Sequence, residues 1–336
     1  MDNQVMVSAD NLGQDTVPAG AAPVQGAVTP SPEPARRDLS EHVKRIGRQD
    51  KIATGILTAI VGFVLALLAA IIIYILVRGG GVALTPGFLT NPSTAEVSGI
   101  LYQLFDSFYM LIITLIISVP ISLGGAIFLV EYAPDNWITS AAKTAIETLS
   151  SLPSIVVGMF GSLFFVVVMG WGISIISGAV ALTMFNIPIL VRTIQQALED
   201  VPRSQRDAAL AMGLTRWETT VNVLLPAAMP AIVTGIVISA GRVFGEAAAL
   251  IFTSGSAPSR LNFENVLNFS SPTNPFNIFR PACTLAVYIW RLTSEPTPGS
   301  TEIVWGTATV LIVCVLLFNV LARVLGKFLA RRLTAE

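Results

Sequence analysis

The most constraining feature of this sequence is a long apolar segment, residues 53–77, in which 25 consecutive residues carry no charge. A helix needs about 20 apolar residues to cross a hydrocarbon core roughly 30 Å thick. A helix of this length without a charged face has no stable place on the surface of a soluble protein. The segment therefore predicts a membrane span.

Five further apolar segments, 15 to 25 residues long, follow the first one. The third is the least regular, because it begins after Pro153 and contains Gly158 and Gly161. The predicted fold class is all-α, an integral membrane protein with six transmembrane helices. The five additional predicted spans are residues 108–130, 154–168, 173–191, 228–252 and 303–325.

The composition agrees with a membrane location and excludes several other classes. Only 12% of residues are charged, against about 25% in soluble domains. A net charge of −1 argues against nucleic acid as a partner, because nucleic-acid-binding domains are normally basic. Cys283 and Cys314 are interpreted as unpaired apolar residues, and His42 is the single histidine. These residues are too few for a zinc cluster, so we predict no bound metal.

The basic residues are distributed unevenly about the predicted spans. Of the 20 lysines and arginines, 15 fall on one side, 4 on the other, and Arg242 lies within a span. Cytoplasmic segments are enriched in Lys and Arg, so both termini are predicted to be cytoplasmic. Residues 1–50 are predicted to be a disordered tail with a basic end beside the membrane, and residues 51–336 a six-helix membrane domain. The external segment 254–301 is expected to pack on the bundle or form a short helix.

The cytoplasmic loop at about residues 200–227, called the coupling segment below, has the pattern of a short helix. Ser204 and Asp207 are spaced as a capping box, and Gly213 suits the left-handed residue that ends a helix. Ala208 and Ala209 leave one helix face small enough for close contact with a partner protein. A surface helix that merely joins two spans is the alternative.

A second pattern, residues 241–248, places two charges inside the fifth predicted span. Arg242 and Glu246 are four residues apart, which predicts a shared helix face, and Gly245 leaves nearby backbone accessible. Each charge costs about 2.5–3.5 kcal/mol at bilayer depth, so both are expected to face the bundle interior or water. Arg242 could meet an anion in transit, with Glu246 holding its guanidinium. A buried ion pair that fixes helix packing is the alternative.

Other polar residues in the spans are weaker candidates. Asn186 with Pro188 is predicted either to break the fourth span and present a carbonyl to a pathway, or only to kink the helix. Asp106 and Glu147 lie near span ends and are expected to be interfacial.

The coupling segment resembles the corresponding loop of ABC-importer permeases. The pattern Asp-Ala-Ala-x3-Gly-x9-Val-x-Leu-Pro runs from Asp207 to Pro226, with Asp207 replacing the usual Glu and Val223 the usual Ile. The chain has no Gly-x4-Gly-Lys-[Ser/Thr] loop for ATP. The resemblance implies a type I ABC importer permease fold, ATP and Mg use by a separate ATPase, and no cofactor or enzymatic activity in this chain. The residues it implicates in coupling are Asp207, Ala208, Ala209, Gly213, Leu225 and Pro226.

Arg-x-x-Gly-Glu-x-Ala at residues 242–248, with residues 152–161 and 284–290, resembles phosphate-specific ABC permeases, and 245–253 resembles their PstA-like subunit. The resemblance covers residue 53 to the C-terminus. It implies that Arg242 and Glu246 serve phosphate passage in a bacterial plasma membrane. It also implies three protein partners: a homologous PstC-like permease, a cytoplasmic PstB-like ATPase dimer and an external PstS-like phosphate-binding protein.

Four alternatives remain at this level. The chain could be a permease for another oxyanion, such as molybdate or sulfate, or the PstC-like subunit itself. It could also be an ion-coupled secondary transporter in which Glu246 carries a proton. A non-transporting membrane scaffold or sensor, with purely structural Arg242 and Glu246, is the fourth.

Overall fold

The structure is a computed structural model that describes residues 34–93, 99–258, 260–264, 266–268 and 270–333. Across these residues the chain is helical with connecting loops, and no strand occurs. Short π-helical turns extend three of the helices: Phe128–Tyr132 after α2, Ser162–Val168 after α4 and Thr220–Leu224 after α7. The helices are α1 (Pro34–Ala83), α2 (Leu101–Ile127), α3 (Trp137–Ser150), α4 (Ser154–Gly161), α5 (Ile175–Glu199), α6 (Arg203–Ala211), α7 (Arg216–Thr219), α8 (Leu225–Phe244), α9 (Ala248–Thr253), α10 (Leu285–Ser294) and α11 (Ser300–Leu333).

Five helical segments of the described chain are long and apolar enough to cross a membrane. A sixth span arises if α3 and α4 with its π-helical turn are taken together, although the two parts are bent by 98°. The predicted all-α membrane fold is thus confirmed. The bend follows from Pro153, which precedes α4 with extended backbone angles and cannot continue α3. The five long segments are Gln49–Ala83, Leu101–Tyr132, Ile175–Glu199, Arg216–Phe244 and Ser300–Leu321.

The N-terminal part of the chain differs from its prediction. Residues 34–50, predicted as disordered tail, form the first turns of α1, so that prediction is wrong for them. Four of these 17 residues are arginine, which favours helix. Residues 1–33 of the predicted tail lie outside the described residues.

The chain divides into two compact units, Met1–Leu65 and Ala66–Glu336. In the first unit, the apolar side chains of α1 are exposed, as expected of a surface that lipid covers; they include Ile56, Leu57, Ile60 and Phe63.

The core of the second unit is built by α5, which packs against α2, α8 and α9. Small residues allow close helix approach at several crossings. A Cβ added to Gly158 of α4 would lie 2.5 Å from Ala249 Cα in α9. Likewise, a Cβ on Gly79 of α1 would lie 2.0 Å from the carbonyl oxygen of Trp305 in α11. These glycines therefore set the distance between the helices.

The fifth predicted span is interrupted. It was predicted as one helix over residues 228–252, but α8 ends at Phe244 and α9 begins at Ala248. The break contains Gly245, whose weak helix propensity costs about 1 kcal/mol relative to Ala. The helix ends there, and the backbone N–H of Gly245 still donates to the carbonyl of Gly241 at 3.3 Å.

The long segment between α9 and α11 is fastened to the bundle and contains α10, as predicted. Arg280 Nη2 donates to Asp106 Oδ1 at 2.6 Å, and both side chains are fully buried. Asp106, which was expected to be interfacial near a span end, is buried in the protein, and a second loop group, the backbone N–H of Cys283, also donates to its carboxylate. Glu147, in contrast, is exposed and pairs with Arg192 at 3.0 Å. Cys283 and Cys314 are unpaired, as predicted.

Candidate functional site

Arg242 lies in the last turn of α8, where the helix dipole favours a cation. Its side chain is exposed, and Arg242 Cζ lies 4.1 Å from the centre of the Phe185 ring on α5. This distance is well within the range of a cation–π contact. In the described residues the guanidinium has neither a carboxylate partner nor a hydrogen bond. One face is therefore held by Phe185, and its N–H donors remain available.

Glu246 does not hold Arg242. Because α8 ends at Phe244, the two residues do not share a helix face, and that prediction is wrong. The Glu246 carboxylate instead accepts a hydrogen bond from the backbone N–H of Ala249 at 3.3 Å, at the start of α9. Gly245, the third predicted residue of this group, is the exposed residue that ends α8. Glu246 thus stabilises the break beside Arg242 and leaves the arginine uncompensated.

Asn186 is completely buried in a polar cluster shared by three helices. Its Nδ2 donates to Ser118 Oγ of α2 at 3.1 Å, and Ser239 Oγ of α8 donates to its Oδ1. The helix continues through Pro188 to Glu199, so of the two alternatives for this pair the break in the fourth span is wrong. The neighbouring helices surround the proline and bury it.

The structure brings Asn186 and Arg242 to the same junction of α5 and α8. Asn186 follows Phe185 in sequence, and Arg242 lies three residues after Ser239, on the same side of α8. The buried hydrogen bonds fix the register of the two helices next to the Arg242–Phe185 contact. Sequence reasoning missed Phe185, Ser118 and Ser239. The only sequence signal was the position of Phe185 beside a polar residue inside an apolar span.

The coupling segment folds into two short helices. Gly213 separates α6 from α7 with a φ of +88°, which confirms the predicted left-handed residue. The predicted capping box at Ser204 and Asp207 is wrong, since α6 already begins at Arg203 and no side chain caps it. The capping box lies at α7 instead. There the backbone N–H of Glu218 donates to Thr215 Oγ1 at 3.2 Å, and the Thr215 N–H donates to Glu218 Oε2 at 2.8 Å.

The predicted coupling residues divide into an outer and an inner set. Asp207, Ala208 and Gly213 are exposed, whereas Ala209 is 5% exposed. Leu225 and Pro226 form the first turn of α8 and join the segment to the bundle. Exposed apolar side chains accompany the outer set, a combination typical of a protein docking surface. They are Leu210, Met212 and Trp217.

Comparison with known proteins places the chain in a family. Residues 118–335 match the family described as "Binding-protein-dependent transport system inner membrane component". The chain belongs to this family. It is therefore the permease subunit of an ABC importer, a membrane transport component rather than an enzyme. Permeases of this family function with a partner permease, an ATPase and a substrate-binding protein.

Individual relatives agree with the family assignment. "Probable ABC transporter permease protein YqgI" of Bacillus subtilis (strain 168) is 47% identical over 290 residues, covering 85% of this chain and 98% of that protein. "Phosphate transport system permease protein PstA" of Yersinia pestis is 30% identical over 241 residues, covering 70% of this chain and 75% of that protein. A chain of a bacterial alginate ABC transporter aligns with a TM-score of 0.57 and 15% identity, over 86% of this chain and 98% of that chain. The last similarity shows a shared fold.

Proposed function

We propose that this permease is the PstA-like subunit of an ATP-driven phosphate importer and forms half of the phosphate pathway. The observation that carries the proposal is the Arg242 guanidinium, which is exposed, stacked on Phe185 and without an anionic partner in the described residues. A charge at such a position is a functional candidate by default. The relative from Yersinia pestis named as a phosphate permease supports phosphate as the anion.

The chemistry of the site suits transient anion contact. A guanidinium presents a planar fork of N–H donors that matches two phosphate oxygens. Phe185 covers one face of the guanidinium, so an anion is expected at its edge. The carboxylate of Glu246, in the following break, repels an anion and thereby favours release. Binding is expected to be weak, because a tight site would retain the ion instead of passing it on.

The same proposal assigns roles to the partners. The exposed coupling segment would dock a cytoplasmic PstB-like ATPase dimer, which hydrolyses ATP with Mg. A PstC-like permease would form the other half of the pathway, and an external PstS-like protein would deliver phosphate. In this arrangement both termini of the chain are cytoplasmic, in a bacterial plasma membrane, and the chain itself holds no cofactor.

The test is phosphate uptake by the complete importer reconstituted in liposomes. Because charge-assisted hydrogen bonds contribute about 1.5–3 kcal/mol, we expect Arg242→Gln to reduce uptake roughly 10- to 100-fold. Glu246→Gln keeps an acceptor for the Ala249 N–H and removes the charge. We expect it to slow turnover and tighten apparent phosphate binding. Sulfate and molybdate are added as competitors of phosphate, to test whether one of these oxyanions is the substrate instead.

Arg78→Gln is the matched control, because Arg78 is also an exposed arginine over an aromatic ring, with its Cζ 5.7 Å from the centre of Tyr74. It should transport normally. Normal uptake in Arg242→Gln would refute the pathway role, and transport of sulfate or molybdate without transport of phosphate would reassign the substrate.

A further inference from the structure

One ion pair connects the coupling segment to the end of α2. Arg206 of α6 donates from Nη2 to Oε1 of Glu131, which lies in the π-helical turn after α2. The Glu131 side chain is 6% exposed and that of Arg206 is 31% exposed. A carboxylate this buried is costly without its partner, so the pair resists separation more than a surface pair does.

The packing of α6 shows how this ion pair connects the coupling segment to α2. The backbone of α6 packs mainly on α7 and the π-helical turn that follows it, both of which belong to the coupling segment. Arg206 also joins α6 to the end of α2, through its ion pair with Glu131. Tyr132 ends the turn of α2, and Ala133 leaves the helix with extended backbone angles. Glu131 is thus one of the last residues that move with α2.

The pair borders a cavity of about 250 Å³, also lined by Val130, Leu210, Arg216 and Thr219. Two buried polar atoms of this region, Arg206 Nε and Thr219 Oγ1, have no hydrogen-bond partner among the described residues. The cavity therefore leaves room on one side of the pair. This space would let α6 shift relative to α2 while the ion pair with Glu131 stays formed.

From Glu131, α2 leads directly to the polar cluster beside Arg242. Ser118, which accepts the hydrogen bond from Asn186, lies 13 residues before Glu131, about 20 Å along the helix. Asn186 in turn is next in sequence to Phe185, whose ring contacts the Arg242 guanidinium. A continuous chain of contacts therefore joins α6 to the candidate phosphate site.

We propose that the Glu131–Arg206 pair is the positioning link through which displacement of the coupling segment moves α2 and, with it, the junction that holds Arg242. This inference rests on the proposed coupling role of residues 200–227. It predicts that, without the ion pair, the ATPase still docks and hydrolyses ATP, but ATP hydrolysis no longer drives phosphate transport.

The experiment measures phosphate taken up per ATP hydrolysed in the complete importer. We expect Glu131→Gln and Arg206→Gln each to lower this ratio roughly 5- to 150-fold, the usual range of coupling between sites. The ATPase should still co-purify. The double variant Glu131→Arg/Arg206→Glu restores an opposite-charge pair and should recover part of the ratio. Glu147→Gln is the matched control, because its pair with Arg192 is exposed on both sides.

A second measurement does not depend on the substrate. A fluorescent label on Ile116→Cys in α2, in a Cys314→Ser background, reports ATP-driven movement of that helix. Burial raises the pKa of the Cys283 thiol to about 12, so this cysteine should remain unlabelled. We expect the ATP-dependent signal in the parent complex and in Glu147→Gln, and its loss in Arg206→Gln.

These readouts separate the two proposals. An unchanged signal and ratio in Arg206→Gln would overturn the link and leave the phosphate assignment intact. Loss of the ATPase from the purified variants would also overturn it, since the pair would then serve docking instead of transmission. A parent complex that moves on ATP addition but takes up no phosphate would refute the proposed substrate alone.

Discussion

At the scale of single residues, Phe185 decides what Arg242 can do. The ring is 3% exposed and fixed in the core, whereas the arginine it carries is exposed. An arginine side chain loses much rotamer freedom when it is ordered, and a fixed aromatic surface supplies that order before the anion arrives. The interaction replaces the Glu246 partner that the sequence suggested, and it leaves the positive charge uncompensated.

Phe185→Leu should therefore weaken phosphate transport without removing the charge. A cation–π contact contributes about 0.5–2 kcal/mol, which corresponds to a roughly 2- to 30-fold rise in the phosphate concentration giving half-maximal uptake. Uptake assays of the reconstituted importer measure this directly. Phe165→Leu is the control, because Phe165 is a buried aromatic that stacks on Trp171. Equal kinetics in both variants would show that the ring does not position Arg242.

At the scale of helices, the break between α8 and α9 depends on close packing against α4. Gly158 allows the backbone of α4 to approach Ala249 directly, and Gly161 lies against Ala181 of α5. The short helix α9 is thereby held between α4 and α5. Neither α4 nor α9 is long enough to be stable alone, so their contact stabilises both.

Gly158→Ala should disturb this contact. The added methyl group would lie 2.5 Å from Ala249 Cα, and such overpacking costs about 1–3 kcal/mol. We expect a lower thermal unfolding midpoint of the purified complex. Gly124→Ala in α2 is the control, because nothing lies within 4 Å of its added Cβ. A Gly158→Ala variant as stable as Gly124→Ala would contradict the packing described here.

At the scale of the whole permease unit, the Asp106–Arg280 pair fastens the long segment after α9 to α2. The same segment forms further hydrogen bonds with the bundle: Leu285 N–H donates to Ser107 Oγ at 2.8 Å, and Ile175 N–H donates to the Arg280 carbonyl at 2.9 Å. The segment thus links the beginnings of α2, α5 and α10. Buried charges of this kind are weak evidence for stability but strongly penalise the loss of one partner.

Asp106→Asn should therefore release this segment. Removal of one member of a buried pair costs about 3–5 kcal/mol, because Arg280 stays buried without its countercharge. Limited proteolysis of the importer should cut residues 254–284 faster than in the parent protein. The exposed Glu295→Gln is the control. Identical cleavage rates for the two variants would mean that the pair does not hold the segment.

The sequence by itself determined the membrane class, the helical fold and the short helical structure of residues 200–227. Each of these follows from local properties: apolar length, helix propensity, and the left-handed backbone that Gly213 adopts. The tail, the span containing Glu246 and the capping box were mispredicted at boundaries. Helix boundaries depend on neighbouring side chains and on which residue caps the helix, and the pattern of residues along the sequence does not show either.

Only the tertiary structure decided which polar side chains meet. Asp106 and Arg280 are 174 residues apart, Asn186 and Ser118 are 68 apart, and Glu131 and Arg206 are 75 apart. Helical spacing can pair Arg242 with Glu246, but it carries no information about α5 lying across α8. Most buried polar groups form hydrogen bonds, and their partners come from whichever helices surround them. Glu246 therefore accepts a hydrogen bond from α9, and Asn186 is hydrogen-bonded to two serines. Arg242 lies over Phe185, with its N–H donors available.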